Sequence, residues 1–121
     1  MNGFASVIVA GNLVRDPAMK YTPNGTPLCE FGIAVNEQWG QGDNRKEQVS
    51  FFDVTCFGKT AEVAAQYLQK GKPVAIEGKL QQQRWENEKG EKRSKVEIIG
   101  NRIHFLPDGK GGEQSSEQSG Q

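Results

Sequence analysis

Between residues 51 and 68 the spacing of apolar side chains changes from every second residue to every third or fourth, and that switch limits the folds open to the chain. Side chains on a strand alternate between its two faces. Phe52, Val54 and Cys56 therefore make one small, core-like face, and Phe51, Asp53, Thr55 and Phe57 make the other. The second face sets two large rings among polar groups, where a half-buried strand is ordinarily polar. Rings held toward water are costly unless something stacks on them. Directly behind the strand, Ala61, Ala64, Ala65 and Leu68 follow the i, i+3, i+4, i+7 rule of one buried helical stripe. Thr60 is placed to cap that helix, since its hydroxyl can accept from a free backbone N–H. Gly71 stands where a left-handed C-terminal residue is wanted.

The remaining apolar runs read as strands. Residues 4–14 are rich in Val and Ile, and Gly11 marks the bulge or sharp bend that a closing barrel requires. Asp16-Pro17 stops this run, and Pro23-Asn24-Gly25 is a turn, because Pro fixes φ and Asn-Gly tolerates positive φ. In residues 28–36, Cys29, Phe31, Ile33 and Val35 point one way and Glu30, Gly32, Ala34 and Asn36 the other. Residues 37–46 form a polar loop carrying Trp39. Residues 73–85 place Val74, Ile76, Gly78 and Leu80 inward, with Lys79, Gln81, Gln83 and Trp85 outward. Asn87-Glu88-Lys89-Gly90 is a hairpin tip, and residues 94–105 turn Val96 and Ile98 inward. There is no internal repeat. Three strands, one helix and two strands predict an all-β fold: a five-stranded oligonucleotide-binding (OB) barrel with one short helix between strands 3 and 4.

The 121 residues suit one domain, 1–107, followed by a tail, 108–121. The tail is Gly, Ser, Gln and Glu without a large apolar residue, so it is expected to be disordered. No run approaches the ~20 apolar residues of a membrane span. The N-terminus lacks the charged and apolar regions of a signal peptide, which makes the cytosol the default compartment. The net charge of zero hides a split: up to Pro107 there are 14 Lys plus Arg against 12 Asp plus Glu, whereas the tail sets Lys110 against Asp108, Glu113 and Glu117. Cys29 and Cys56 fall on apolar parities and read as buried free thiols acting as small hydrophobes. A disulfide is not expected in a cytosolic chain. With no Cys-x-x-Cys motif and His104 as the single histidine, no four-ligand zinc site is expected, nor any other metal or cofactor. Ser6, Ser50, Asp53 and Thr55 have no histidine at a plausible position. Gly58-Lys59-Thr60 lacks the glycine five residues upstream that a phosphate-cradling loop needs. Catalysis is therefore not expected.

The main signal is aromatic. Trp39, Phe51, Phe57 and Trp85 come from separate elements and are interleaved with Arg45, Lys46, Lys59, Lys79 and Arg84. Each ring alone has an ordinary reading as a core edge or an interface. Together they suit single-stranded nucleic acid, which offers a π-face on every base and a phosphate on every nucleotide. Stacking of a base on an aromatic contributes roughly 1–3 kcal/mol, and phosphate neutralisation supplies a sequence-independent remainder. Lys89, Lys92, Arg93 and Lys95 crowd one hairpin with Glu88 and Glu91, as a finger that clamps a strand or as a mixed-charge solubilising loop.

Across residues 4–106 the chain resembles the bacterial single-stranded DNA-binding protein family. The resemblance is carried by Val9-Ala10-Gly11-Asn12-Leu13 with Asp16-Pro17, by Tyr21-Thr22-Pro23-Asn24-Gly25, and by Phe57-Gly58-Lys59 leading through Ala61-Glu62-Val63-Ala64 to Tyr67-Leu68. Lys70-Gly71, Ile76-Glu77-Gly78-Lys79-Leu80 and Trp85 complete it. It implies an OB fold, a homotetramer assembled through the N-terminal strand and sheet faces, and wrapping of single-stranded DNA in replication, recombination and repair at the nucleoid. It also implies base-stacking roles for Trp39, Phe51, Phe57 and Trp85, with Phe51 standing where the family often has Trp. Lys46, Lys59, Lys70 and Arg84 match basic positions of the DNA path. Two departures stand out. Relatives usually end in an acidic, apolar-tipped peptide that docks partner proteins, and this sequence runs Ser-Ser-Glu-Gln-Ser-Gly-Gln, which fits a truncated chain or a paralogue with fewer partners. Gln81 and Gln83 stand where relatives often carry basic residues, so weaker or more salt-sensitive binding is expected. Two other readings are separable by experiment: a protein-interaction OB module, such as a primosome component, and an RNA-preferring, cold-shock-like barrel.

Overall fold

A computed structural model of the chain describes residues 1–107, so the expectations for 108–121 and for a boundary at Pro107 lie outside the described residues. The elements run β1 (Ser6–Leu13), β2 (Ala18–Tyr21), β3 (Pro27–Trp39), a 3-10 turn (Gly42–Asn44), β4 (Lys46–Phe57), α1 (Gly58–Tyr67), β5 (Pro73–Glu86) and β6 (Lys92–Phe105). The five long strands form a closed barrel in the order β1-β5-β6-β4-β3, and β1 meets β3 through Asn12↔Ala34 and Leu13↔Ile33. All pairings are antiparallel except β4 with β6, where Val54, Thr55 and Cys56 lie beside Ile98, Ile99 and Gly100. The expected OB barrel is thus present, with α1, the single α-helix among the described residues, between the third and fourth long strands.

A sixth strand was not anticipated. β2 is four residues long and pairs with the start of β3, from Ala18↔Glu30 to Tyr21↔Pro27. The Pro23-Asn24-Gly25 segment turns the chain between them, with Gly25 at φ 88° and its N–H donating to the Thr22 carbonyl. A run of four residues with no clear alternation is too short to stand out as a strand. It is ordered here because β3 offers it a ready-made edge. The expected loop over 37–46 is also shorter: β3 runs to Trp39 and β4 starts at Lys46, with continuous pairing down to Trp39↔Lys46.

The helix differs at both ends from the sequence reading. It begins at Gly58, whose φ of 62° turns the chain from strand into helix, and Phe57 occupies the N-cap with no side-chain hydrogen bond. Thr60 therefore lies inside the first turn and does not cap. At the other end the chain becomes extended at Leu68, and Gly71, at φ 89°, sits in the following turn, where its N–H donates to the Leu13 carbonyl. Ala61, Ala64 and Leu68 are buried as expected, but Ala65 faces solvent. Tyr67 packs edge-on against Phe105, with ring centroids 5.9 Å apart.

The core comprises Leu13, Cys29, Phe31, Ile33, Val54, Cys56, Val74, Ile76 and Ile98 from the strands, closed at one end by Ala61, Ala64 and Leu68. Three residues assigned inward by parity are instead exposed: Phe52, Leu80 and Val96. The mouth of the barrel explains all three. Phe52 is the cross-strand partner of buried Ile33, and Leu80 the partner of buried Ile98. Past that level the β3–β4 and β5–β6 hairpins run on as arms, and the inward face has no opposite wall. A register shift at Glu77/Gly78 bends β5 and β6. A Cβ at Gly78 would lie 2.1 Å from the Ile99 carbonyl oxygen, so only glycine allows that approach.

Candidate nucleic-acid interface

Strand register determines which of the sequence-predicted rings share a surface. On β4, Phe51, Asp53, Thr55 and Phe57 sit opposite Ala34, Gly32, Glu30 and Leu28 of β3. Thr55 lies beside Ile99 of β6, and Ile99 opposes Lys79 of β5. Residues paired across strands share a face. Phe51, Phe57, Lys79, Gln81, Gln83 and Trp85 therefore belong to one outer surface, as expected. The rings are open on it, with Phe51 70%, Phe57 43% and Trp85 47% exposed.

Trp39 stands apart. Its partner is Lys46, and both have the parity of Phe52 and Val54, the opposite face of the β3–β4 hairpin. Trp39 is half-exposed at the hairpin tip, with Arg45 nearby held by an Nη2 hydrogen bond of 2.6 Å to Gln38 Oε1. Arg84 likewise has the parity opposite to Trp85, and its Nη2 donates to Gln82 Oε1 at 2.9 Å. An open cleft of about 410 Å³ gathers Arg84, Trp85, Lys92, Arg93 and Ser94 on the β5–β6 arm. Lys59 is in the first turn of α1, just past Phe57. Lys70 follows α1, and its backbone N–H donates to Asp16 Oδ1 near the closure of β1 on β3.

Between the two phenyl rings lies a polar row that sequence reasoning largely missed. Thr55, only 5% exposed, donates its hydroxyl to Glu97 Oε1 at 3.1 Å. Gln83 Nε2 donates to the other Glu97 oxygen at 2.8 Å. Lys95 Nζ meets Asp53 Oδ2 at 3.4 Å. Arg15 lies over Gly32, where an added Cβ would come within 2.9 Å of its Nη1. A cleft of about 100 Å³ joins Arg15, Glu30, Asp53, Thr55, Lys95 and Glu97. Two signals pointed here: the shared parity of Lys95 and Glu97, and a small residue, Gly32, in an otherwise well-filled strand. Neither signal reveals that Arg15 fills the space.

Behind this face the two thiols oppose each other in register, Cys29↔Cys56, and both are fully buried. Burial, with Cys29 adding to it and a backbone hydrogen bond at Gly100 opposing it, pushes the Cys56 thiol up to about 12. Burial and the nearby Glu30 charge raise Cys29 as well. These groups are packing residues with no accessible nucleophile. Among the described residues no helix is long and apolar enough to cross a membrane.

Known proteins resemble this chain over most of its length. The sequence profile of the single-strand binding protein family matches residues 4–106. The single-stranded DNA-binding protein of Treponema pallidum (strain Nichols) is 46% identical over 111 residues, covering 92% of this chain and 62% of that protein. Its counterpart in Wolinella succinogenes is 41% identical over 112 residues, covering 92% and 68%. That of Thermotoga maritima is 40% identical over 107 residues, covering 88% and 76%. The chain thus spans less than two thirds of the Treponema protein's length.

Proposed function

Because this chain belongs to the single-strand binding protein family, we propose that it binds single-stranded DNA without reading its sequence and so protects exposed strands during replication, recombination and repair. The observation that carries this reading is the outward display of Phe51, Phe57 and Trp85 on one sheet face. Bases stack on these rings, and the phosphates run past Lys59, Lys79 and the cations of the β5–β6 arm. Trp39, with Lys46 and Arg45, extends the path onto the tip of the β3–β4 hairpin, and Arg84 and Lys70 add charge on neighbouring surfaces. Binding of this kind involves no covalent step, metal or cofactor, and its place is the nucleoid in the cytoplasm. Stacking and charge neutralisation are both indifferent to base identity.

A homotetramer belongs to the same reading, and a different surface, the free edge of β1, supports it. The outer edge of β1 carries exposed Ile8, and residues 6–11 pair only with β5 on the other side. Such an edge offers unpaired N–H and C=O groups to another strand, and a second copy of β1 would satisfy them.

The test is a titration with poly-dT at low salt, followed by tryptophan fluorescence. Quenching is expected, and Trp39→Ala or Trp85→Ala should each weaken binding by about 1–3 kcal/mol. An unquenched signal with no shift in sedimentation would overturn the reading. Sedimentation of the free protein reports its assembly.

A further inference from the structure

Asp53 is an odd residue to find on this path. It sits on the same strand face as Phe51 and Phe57, between them, where a negative charge opposes a passing phosphate. Both its neighbours across the strands bring cations: Lys95 from β6, at 3.4 Å, and Arg15, which lies over Gly32 directly opposite. Of the other carboxylates lining this cleft, Glu97 already accepts from Thr55 and Gln83, and Glu30 is paired with Lys20 at 2.9 Å, which leaves Asp53 as the partner of Lys95.

The Asp53–Lys95 contact is loose. Its 3.4 Å exceeds the ~2.7–2.9 Å of a charge-assisted hydrogen bond. Both side chains are about half-exposed, at 53% and 47%. Pairs of this kind exchange readily because water and salt already compete with them. Phe51 and Phe57 are six residues apart on β4, roughly 20 Å at about 3.3 Å per residue, so a backbone crossing from one stacked base to the next passes above this pair.

Resting on the single-strand-binding reading, we propose that the Asp53–Lys95 pair is a latent phosphate site. The strand takes Lys95 away from Asp53 as it binds, and Asp53 is a competitor built into the interface that lowers both affinity and salt dependence. Lys95 thereby joins the binding residues, and Asp53 becomes a residue that sets the strength of binding rather than one that contributes to it.

The experiment is a poly-dT titration over a salt series with the unmodified protein, Asp53→Asn, Lys95→Gln and the double variant, with thermal melts to verify folding. Asp53→Asn should bind about three- to tenfold more tightly at low salt. Its log K against log salt slope should steepen by up to ~0.7, the share of one added phosphate contact on a single strand. Lys95→Gln should weaken binding, and the double variant should lose the gain of Asp53→Asn. An Asp53→Asn protein that binds no more tightly than the unmodified one overturns the proposal. So does a gain that survives in the double variant, since Asp53 would then act without Lys95. Weakened binding of poly-dC by Asp53→Asn, with poly-dT unchanged, also overturns it, because the carboxylate would then be accepting from a base edge. Failure of the unmodified protein to bind any single strand sinks the underlying reading and is recognised before any variant is compared.

Discussion

Gly11 crosses the Ala34 carbonyl so closely that a Cβ on it would stand 2.2 Å from that oxygen. The contact lies where β1 folds onto β3 and closes the barrel, next to the Asn12↔Ala34 pair. Backbone cannot retreat from backbone here without opening the seam. Gly11→Ala should therefore destabilise the fold by about 2–3 kcal/mol, at the upper end of ordinary overpacking costs. A thermal melt checks this. An unchanged midpoint would mean that the seam gives way cheaply.

Phe51 and Phe31 are both phenylalanines near the middle of long strands, and their substitution should separate binding from stability. Phe31 is fully buried and Phe51 is 70% exposed. Phe31→Ala should cost about 3–5 kcal/mol of stability. Phe51→Ala should leave the melt nearly unchanged and weaken poly-dT binding by about 1–3 kcal/mol. Denaturation and fluorescence titration of both variants decide it, and a Phe51→Ala protein with full affinity counts against stacking at that ring.

Glu97 holds two donors at once, the Thr55 hydroxyl and the Gln83 amide. Replacing it with Ala leaves a nearly buried hydroxyl without that acceptor. The expected loss is about 1–3 kcal/mol, the usual cost of an unsatisfied buried polar group. Glu97→Gln, which keeps one acceptor oxygen, should lose less. Urea denaturation of the two variants gives the ordering.

Alkaline solution should weaken the fold through Cys56. Its folded thiol is raised from 9.0 to about 12 by burial. Above the unfolded value the unfolded chain releases this proton and the folded chain keeps it, so the unfolded state gains with rising pH. The thiol's contribution is thus complete below pH 9 and drains away between pH 9 and about 12. The slope approaches ~1.4 kcal/mol per pH unit for one such group, and Cys29, raised in the same direction, adds to it. Stability measured between pH 8 and 10 should fall less steeply in Cys56→Ala. Native protein at pH 8 should also react slowly with thiol reagents, since reaction needs an exposed thiolate.

The amino-acid order alone determined the local layout. Period-two alternation marked the long strands, the 61, 64, 65, 68 spacing marked helix α1, and Pro23-Asn24-Gly25 and Asn87-Glu88-Lys89-Gly90 marked the turns, because these depend on φ preferences and on which side of a strand each residue faces. It also placed Phe51, Phe57 and Trp85 outward. Tertiary structure decided what parity cannot express. Parity names a side, not whether anything stands opposite it, so Phe52, Leu80 and Val96 read as core until the barrel mouth left them in the open. Parity also separated Trp39 from the other three rings only once the register reached Trp39↔Lys46. The polar row between the rings joins Arg15, Asp53, Thr55, Gln83, Lys95 and Glu97 from four parts of the chain. Asp53 and Lys95 lie 42 residues apart and meet through the parallel pairing of β4 with β6. Charge pairs of that range are set by which strands become neighbours, and that choice is made only when the sheet closes on itself.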